Sequence, residues 1–126
     1  MSSTTTRGVR VDVRARLVPE RSNPPEAWLF AYEVTIANVG EQTVQLLART
    51  WNIRNGDGRL ETVRGPGVVG EQPTLQPGQQ FQYTSACPLD TPFGSMQGSY
   101  TMAIEGGELF EAEIGEFALI DPMLVN

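Results

Sequence analysis

Residues 64–102 read RGPGVVGEQPTLQPGQQFQYTSACPLDTPFGSMQGSYTM. Glycine and proline are dense in this stretch, yet runs of strand-forming residues such as Phe81–Ala86 lie between them. Tight turns require glycine and proline, whereas β-branched and aromatic residues favour strands. The stretch therefore predicts turns at fixed places that join short strands, rather than a flexible linker.

Alternation of apolar and polar residues extends this strand pattern toward the N-terminus. Val9–Leu17 and Trp28–Ile36 place apolar side chains at every second position, which indicates strands with one buried face. Large aromatic side chains on such faces usually fill the core. We therefore interpret Trp28 and Trp51 as core residues.

Turns and irregular positions complete the fold prediction. The alternation slips at Leu46–Leu47 and at Gly115, which predicts two β-bulges. Asn55–Gly58 and Gly106–Gly107 predict hairpins, and Pro88–Gly98 reads as a long loop. About seven short strands without a helical period predict an all-β fold, a single antiparallel β-sandwich.

The length of 126 residues fits one domain. We assign residues 9–120 to the sandwich, residues 1–8 to a disordered lead-in and residues 121–126 to a C-terminal tail. The polar start predicts no signal peptide, and no apolar run has the length of a membrane span.

The composition excludes several kinds of chemistry. Histidine and lysine are absent and Cys87 is the only cysteine, which rules out Ser-His-Asp and Cys-His catalysis, histidine metal sites, a P-loop lysine and a Schiff base. One cysteine permits no internal disulfide and fits a reducing, cytoplasmic location. We interpret Cys87 as a structural thiol and predict no catalytic residue, cofactor or metal site.

The net charge of −6 argues against nucleic acid as a partner. Arginines gather near the start of the chain and carboxylates near its end, so the first and last strands could pair between chains in a homodimer. Glu108–Glu116 could also attract divalent cations. Alternation places Glu111 and Glu113 on an outer face, and we favour a solvated surface over a metal site.

Gly65–Gly70 fits the pattern G-x-G-x-x-G. In dinucleotide-binding proteins these glycines open a helix, but Pro73 and Pro77 follow here, so we reject that interpretation and favour a bulged turn. A third interpretation stays open. Backbone N–H groups of a glycine turn can form an anion-binding nest, and Arg64, with Arg49 if the fold brings it close, could bind phosphate there.

Motifs along the whole chain resemble those of the ApaG family. They are LLxRxW at residues 46–51, GxGVVGxQP at 65–73, FxYTS at 81–85 and TPxGxMxGxY at 91–100. The resemblance implies a fibronectin type III or immunoglobulin-like sandwich. Thr50 stands where many members carry histidine, so a role proposed for that histidine cannot apply, and Ala86 stands where glycine is common.

The resemblance also implies candidate functions. The family has been linked genetically to cobalt and magnesium homeostasis, and related domains fused to F-box regions look like recognition modules. Members are often encoded beside a diadenosine tetraphosphate hydrolase, and pyrophosphate binding has been suggested from the glycine motif. We expect a non-enzymatic interaction module for an unidentified protein or small anionic ligand; the alternative is a nucleotide or pyrophosphate binder with weak phosphohydrolase activity.

The predicted ligand or partner surface combines the glycine turn, its neighbours and a second loop. Loops of sandwich domains commonly carry binding residues, and arginine and backbone N–H groups are usual partners of anions. The surface comprises Arg49, Arg64, Gly65, Gly67, Gly70, Glu71, Gln72, Thr91 and Pro92.

Overall fold

The structure, a computed structural model, describes residues 1–125 and contains two antiparallel sheets packed face to face. The strands are β1 (Ser2–Thr6), β2 (Val9–Leu17), β3 (Trp28–Asn38), β4 (Val44–Asn55), β5 (Leu60–Pro66), β6 (Thr74–Leu75), β7 (Gln80–Leu89), β8 (Phe93–Ile104) and β9 (Leu109–Ile120). One sheet has the order β1-β2-β3-β7 and the other β5-β4-β8-β9, with β6 beside β4. The predicted antiparallel sandwich is confirmed, with nine strands in the described chain instead of about seven.

The core lies between the sheets because each long strand alternates apolar and polar residues. Val34 and Ile36 of β3 are fully buried, as are Leu46 of β4 and Tyr100 of β8. Trp28 and Trp51 are 8% and 3% exposed, so their interpretation as core residues is confirmed. Short one-turn 3₁₀ segments lie at Pro19–Arg21 and Pro122–Val125, and no helix within residues 1–125 is long and apolar enough to cross a membrane.

The N-terminal residues differ from the prediction of a disordered lead-in. Ser2–Thr6 pairs with β2, from Ser2 opposite Val13 to Thr6 opposite Val9. Arg7 and Gly8, with φ values of 45° and 84°, reverse the chain between the two strands. The sequence looks disordered because it is short and polar, yet its threonines are β-branched and suit an edge strand. Asn126, the end of the predicted tail, lies outside the described residues.

The predicted long loop Pro88–Gly98 is wrong, because β7 continues to Leu89 and β8 begins at Phe93. Gly94 and Gly98 are strand residues. A Cβ atom would lie 2.4 Å from the carbonyl oxygen of Arg54 at Gly94, and 2.0 Å from that of Thr50 at Gly98. These glycines therefore permit close approach of β4 and do not mark a loop.

Both predicted bulges and both predicted hairpins are present. The β4–β8 register shifts between Leu46 and Ala48, and the β8–β9 register shifts between Met96 and Gly98, opposite Gly115. The residues around Gly56–Gly58 join β4 to β5, and Gly106–Gly107, both with φ of 102°, join β8 to β9. The first hairpin sets Arg49 opposite Gly65.

Candidate functional site

The glycine-rich segment after β5 forms a tight hairpin. The Val68 N–H donates to Glu71 O (2.8 Å) and the Glu71 N–H donates to Val68 O (2.9 Å). Between them, Val69 and Gly70 have φ values of 44° and 82°, the pattern of a type I′ turn. The chain then continues into β6, so the predicted turn is confirmed and the dinucleotide-binding geometry is not formed.

The first two glycines of the pattern have steric causes. Gly67 has a φ of 60°, and a Cβ atom there would lie 2.3 Å from the carbonyl oxygen of Glu71. Gly65 faces Arg49, and a Cβ atom there would lie 2.9 Å from Arg49 Nη2. The pattern G-x-G-x-x-G is thus explained by backbone conformation and by the space that the guanidinium group needs.

Arg49 holds the turn from the neighbouring strand. Its Nη1 donates to the carbonyl oxygens of Pro66 and Gly67, both at 3.0 Å. Gln72 Nε2 and the Gly67 N–H both donate to the carbonyl oxygen of Leu47, at 2.9 Å and 2.8 Å. Arg49 therefore does approach the glycine turn, and it contacts carbonyl groups there.

The turn offers few donors to an anion. The N–H groups of Gly67, Val68 and Glu71 already donate hydrogen bonds to backbone carbonyl oxygens of the protein. Arg64 is exposed and lies opposite Thr50 in the β4–β5 register. Arg49 lies opposite Gly65, the next residue of β5. Successive residues of a strand point to opposite faces, so Arg64 lies on the outer face and Arg49 on the inner face. The two arginines do not converge.

Thr91 and Pro92 lie at the other end of β5. The Thr91 hydroxyl accepts from the Gly56 N–H (2.8 Å) and donates to the carbonyl oxygen of Phe93 (2.7 Å), and the Pro92 carbonyl accepts from the Asp121 N–H (2.9 Å). These contacts fix the β4–β5 hairpin and the C-terminal residues. The predicted surface is therefore divided into the turn with Arg49 and Gln72, the outer-face Arg64, and this distant loop.

A groove runs along the inner side of β5, between the edge strands of the two sheets. β5 ends one sheet and β7 ends the other. The groove has a volume of about 330 Å³, and its lining combines apolar and polar groups. Its lining includes Tyr32, Arg49, Trp51, Glu61, Val63 and Ser85. A second depression, which shares Ile53, Glu61 and Pro88, continues it toward the β4–β5 hairpin.

Polar groups interrupt the apolar lining of the groove. Trp51 is almost fully buried, and its indole N–H has no hydrogen-bond partner among residues 1–125. Arg49 is half-buried and uses Nη1 for the turn. A buried donor without a partner costs about 1–3 kcal/mol. Such a group is uncommon in the interior of a protein and marks this part of the sandwich as a candidate site.

Burial shifts the titration of the groups around the groove. Burial raises the pKa of Tyr32, although a hydrogen bond with Ser85 lowers it. Burial also raises the pKa of the Cys87 thiol to about 11, and the nearby Glu61 carboxylate adds to the effect. The hydroxyls of Tyr83 and Tyr100 hydrogen-bond to each other, and burial raises both pKa values. The thiol is thus protonated at neutral pH, as the structural interpretation requires.

Arg49 is the one residue of the predicted surface among those that line the groove, and sequence reasoning missed the others, including Tyr32, Glu61, Val63 and Ser85. The available signal was the alternation in β5, which places Glu61 and Val63 on the same face as Gly65.

The acidic run Glu108–Glu116 lies along β9 and just before it. Glu111 is exposed and accepts from the hydroxyls of Ser99 (2.9 Å) and Thr101 (3.1 Å), and within residues 1–125 no cluster of three or more acidic or thiol side chains could hold a metal ion.

The basic start and the acidic end of the chain meet within one molecule. Arg7 Nη1 lies 3.1 Å from Glu108 Oε2, and its guanidinium carbon lies 5.1 Å from the centre of the Phe110 ring. Thr6 Oγ1 accepts from the Glu113 N–H at 3.1 Å. The opposite charges thus interact within one chain, and the homodimer predicted from them stays a prediction.

Comparisons with known proteins agree with this architecture. The model of the ApaG domain (DUF525) matches residues 19–104. The chain is 53% identical to protein ApaG of Beijerinckia indica over 97% of this chain and 95% of that protein, and 55% identical to protein ApaG of Methylorubrum populi over 94% and 92%. A crystal structure from Bordetella pertussis superposes with a TM-score of 0.89 at 46% identity, covering 94% of this chain and 98% of that one. The chain belongs to the ApaG domain family.

Proposed function

We propose that this ApaG-domain chain is a non-enzymatic binding module that holds its partner in the groove between β5 and β7. The observation that carries the proposal is the groove itself: two edge strands flank it, and its lining includes Trp51, whose buried indole N–H has no partner among residues 1–125. Free strand edges and concave, mostly apolar surfaces with a few polar groups are common places for ligands.

The groove is a better candidate than the glycine turn. In the turn, Gly65 and Gly67 accommodate Arg49 and Glu71, and three backbone donors are already used. In the groove, Val63 is 37% exposed although it points toward the inner side of the sandwich. A partner that covers Val63 would gain a binding free energy of about 25 cal/mol for each Å² of apolar surface buried.

A random heptapeptide library displayed on phage tests the proposal, with three forms of the protein as bait. The Val63→Arg variant places a long charged side chain in the groove. The Thr62→Arg variant introduces the same side chain at the neighbouring position, which lies on the outer face. We expect peptides enriched on the unaltered protein to lose binding to Val63→Arg and to keep binding to Thr62→Arg. Equal retention by both variants would contradict the proposal.

The alternative function, binding of a nucleotide or pyrophosphate with weak phosphohydrolase activity, rests on Arg49. Its guanidinium group packs over Gly65 and retains donors beyond Nη1, and arginine is well suited to phosphate. A thermal-shift titration with pyrophosphate and ATP tests it. A ligand of the native state raises the midpoint by mass action, and a saturable shift that Arg49→Gln abolishes and Arg64→Gln preserves would favour the alternative over the groove module.

A link to cobalt and magnesium homeostasis is compatible with a binding module. On this proposal the link would operate through the protein held in the groove. Calorimetric titration of the chain with cobalt and magnesium tests this, because heat that is lost on Glu111→Gln substitution would indicate a direct metal site on β9 instead.

A further inference from the structure

The groove between β5 and β7 is electrically asymmetric along its length. At the glycine-turn end the guanidinium group of Arg49 crosses β5 at Gly65. At the hairpin end the lining contains Glu26, Glu61 and Asp90, with Arg59 as the one basic side chain among the lining residues. The Arg59 Nη1–Asp90 Oδ2 pair, at 4.0 Å, offsets part of this acidity. A positive end and a negative end of the groove therefore lie at opposite ends of β5.

The register of β5 fixes the distance between these ends. Glu61, Val63 and Gly65 pair with Ile53, Trp51 and Arg49 of β4, so they share the inner face. Four residues of extended chain separate Glu61 from Gly65, or about 14 Å at ~3.4 Å per residue. Val63 lies midway and supplies the apolar part of the face. The inner face of β5 thus presents an acidic, an apolar and a basic position at two-residue intervals.

The edge of β5 that does not pair with β4 is open to a further strand. The strand ends its sheet, and six of its seven residues are exposed. A peptide that adds to such an edge takes main-chain hydrogen bonds from it and inserts every second side chain into the adjoining pockets. In this position the inserted side chains would lie next to Glu61, Val63 and the Arg49 guanidinium group.

We infer that the groove recognises an extended peptide carrying a basic, an apolar and an acidic side chain at positions i, i+2 and i+4, in either chain direction. The basic side chain pairs with Glu61, the apolar one covers Val63 and the acidic one meets Arg49. The inference rests on the proposed function, because it names the ligand of the same groove. Charge complementarity sets which peptides bind, and the two-residue spacing follows from strand geometry.

Two fluorescein-labelled peptides of identical composition test the spacing. Ser-Lys-Thr-Val-Thr-Glu-Ser carries the three side chains at the inferred positions, and Ser-Lys-Glu-Val-Thr-Thr-Ser places the acidic residue on the opposite face. Anisotropy titrations at about 50 mM and about 500 mM salt separate charge pairing from apolar contact, since salt screens exposed charges. We expect the first peptide to bind about three- to fivefold more tightly than the second at low salt, the range of exposed ion pairs.

Charge reversal tests the pairing with Glu61. The Glu61→Lys variant should lose affinity for the first peptide and regain it for a peptide whose lysine is replaced by glutamate, whereas Thr62→Lys, on the outer face, should change neither. Equal binding of the two original peptides, or no recovery on charge reversal, would overturn the inference. Phage-selected peptides that depend on Val63 but lack the spacing would overturn it while the groove module stands, and loss of groove dependence would overturn both.

Discussion

The two sides of the sandwich are built differently. On one side β1 and β2 cover β9: Thr4 lies against Gly115, Thr6 accepts a hydrogen bond from Glu113, and Arg7 pairs with Glu108 over Phe110. On the other side β5 and β7 flank a groove. The closed side uses most of its polar groups for internal contacts, with the buried Ser2 Oγ as an exception, whereas the open side leaves the buried Trp51 indole N–H without a partner and part of the Arg49 guanidinium group unused.

This difference suggests a way for a small sandwich to combine stability with the proposed binding surface. Core residues such as Leu46, Tyr100 and Ile114 are shared by both sides and keep the sheets together. The closed side then protects one pair of sheet edges, which would otherwise invite aggregation. Polar groups that lower stability are tolerated on the open side because the rest of the fold holds them in place.

The largest effect should come from the turn that ends the open side. Gly67→Ala introduces a Cβ atom 2.3 Å from the carbonyl oxygen of Glu71 at a φ of 60°, and we expect a loss of about 3 kcal/mol or more in the free energy of unfolding. Gly70→Ala is the control, since its φ is 82° but nothing lies within 4 Å; it should lose only about 1 kcal/mol. Urea denaturation measures both, and equal losses would contradict the steric explanation.

The closed side should depend on β1. We expect removal of residues 1–6 to lower the free energy of unfolding by about 2–3 kcal/mol, because β2 loses its paired neighbour and β9 loses part of its cover. Gly115→Ala should cost about 1–2 kcal/mol in the full chain, since its Cβ atom would lie 2.5 Å from Thr4 Oγ1. The same substitution should cost less in the truncated chain. If Gly115→Ala cost the same in the full and the truncated chain, β1 would not be packed against Gly115 as described.

Alkaline pH should weaken the protein through Cys87. Its folded pKa, about 11, is above the ordinary value of 9.0, so the stabilisation is complete below pH 9 and is lost as the pH rises through 11. We expect the free energy of unfolding to fall by up to about 2 kcal/mol from this group over that interval. In Cys87→Ala the decline should be shallower between pH 9 and 10, and should continue above pH 10 because Tyr83 and Tyr100 also have raised pKa values. An unchanged slope in Cys87→Ala would contradict the assignment.

The smallest effects should separate the two arginines near the turn. Arg49→Gln removes two charge-assisted hydrogen bonds to carbonyl groups, and we expect a loss of about 1–2 kcal/mol in thermal or urea unfolding. Arg64→Gln changes an exposed outer-face side chain and should alter stability by less than about 0.5 kcal/mol. Similar losses in both variants would mean that Arg49 does not hold the turn.

Periodic strands and tight turns were predictable because their signals are local. The alternation of Val9–Leu17 and the bulges near Leu47 and Gly115 could be read directly from the order of apolar residues. Gly94 and Gly98 misled the reading of the loop because their cause is the approach of β4, a contact between distant residues. β1 was missed for a related reason, since its polar sequence becomes ordered by pairing with β2.

The site was less predictable because it depends on register. The Asn55 N–H bonds to Arg59 O, which places three residues in the hairpin loop and sets Arg49 opposite Gly65. A two-residue loop would have set Arg49 opposite Arg64 and so brought together the two arginines of the predicted anion site. A one-residue change in register moves every side chain to the other face, and the sequence alone does not choose between these loops.

NMR signals of the two indole N–H groups test the central claim most directly, because the chain contains only Trp28 and Trp51. Trp28 Nε1 donates to Asp121 Oδ2 at 3.1 Å, whereas Trp51 lines the groove and its buried Nε1 has no partner among the described residues. A ¹⁵N-labelled sample would be titrated with a phage-selected peptide. The groove account predicts a saturable shift of the Trp51 signal with Trp28 nearly unchanged. Saturable binding that moves only Trp28, or neither signal, would contradict it.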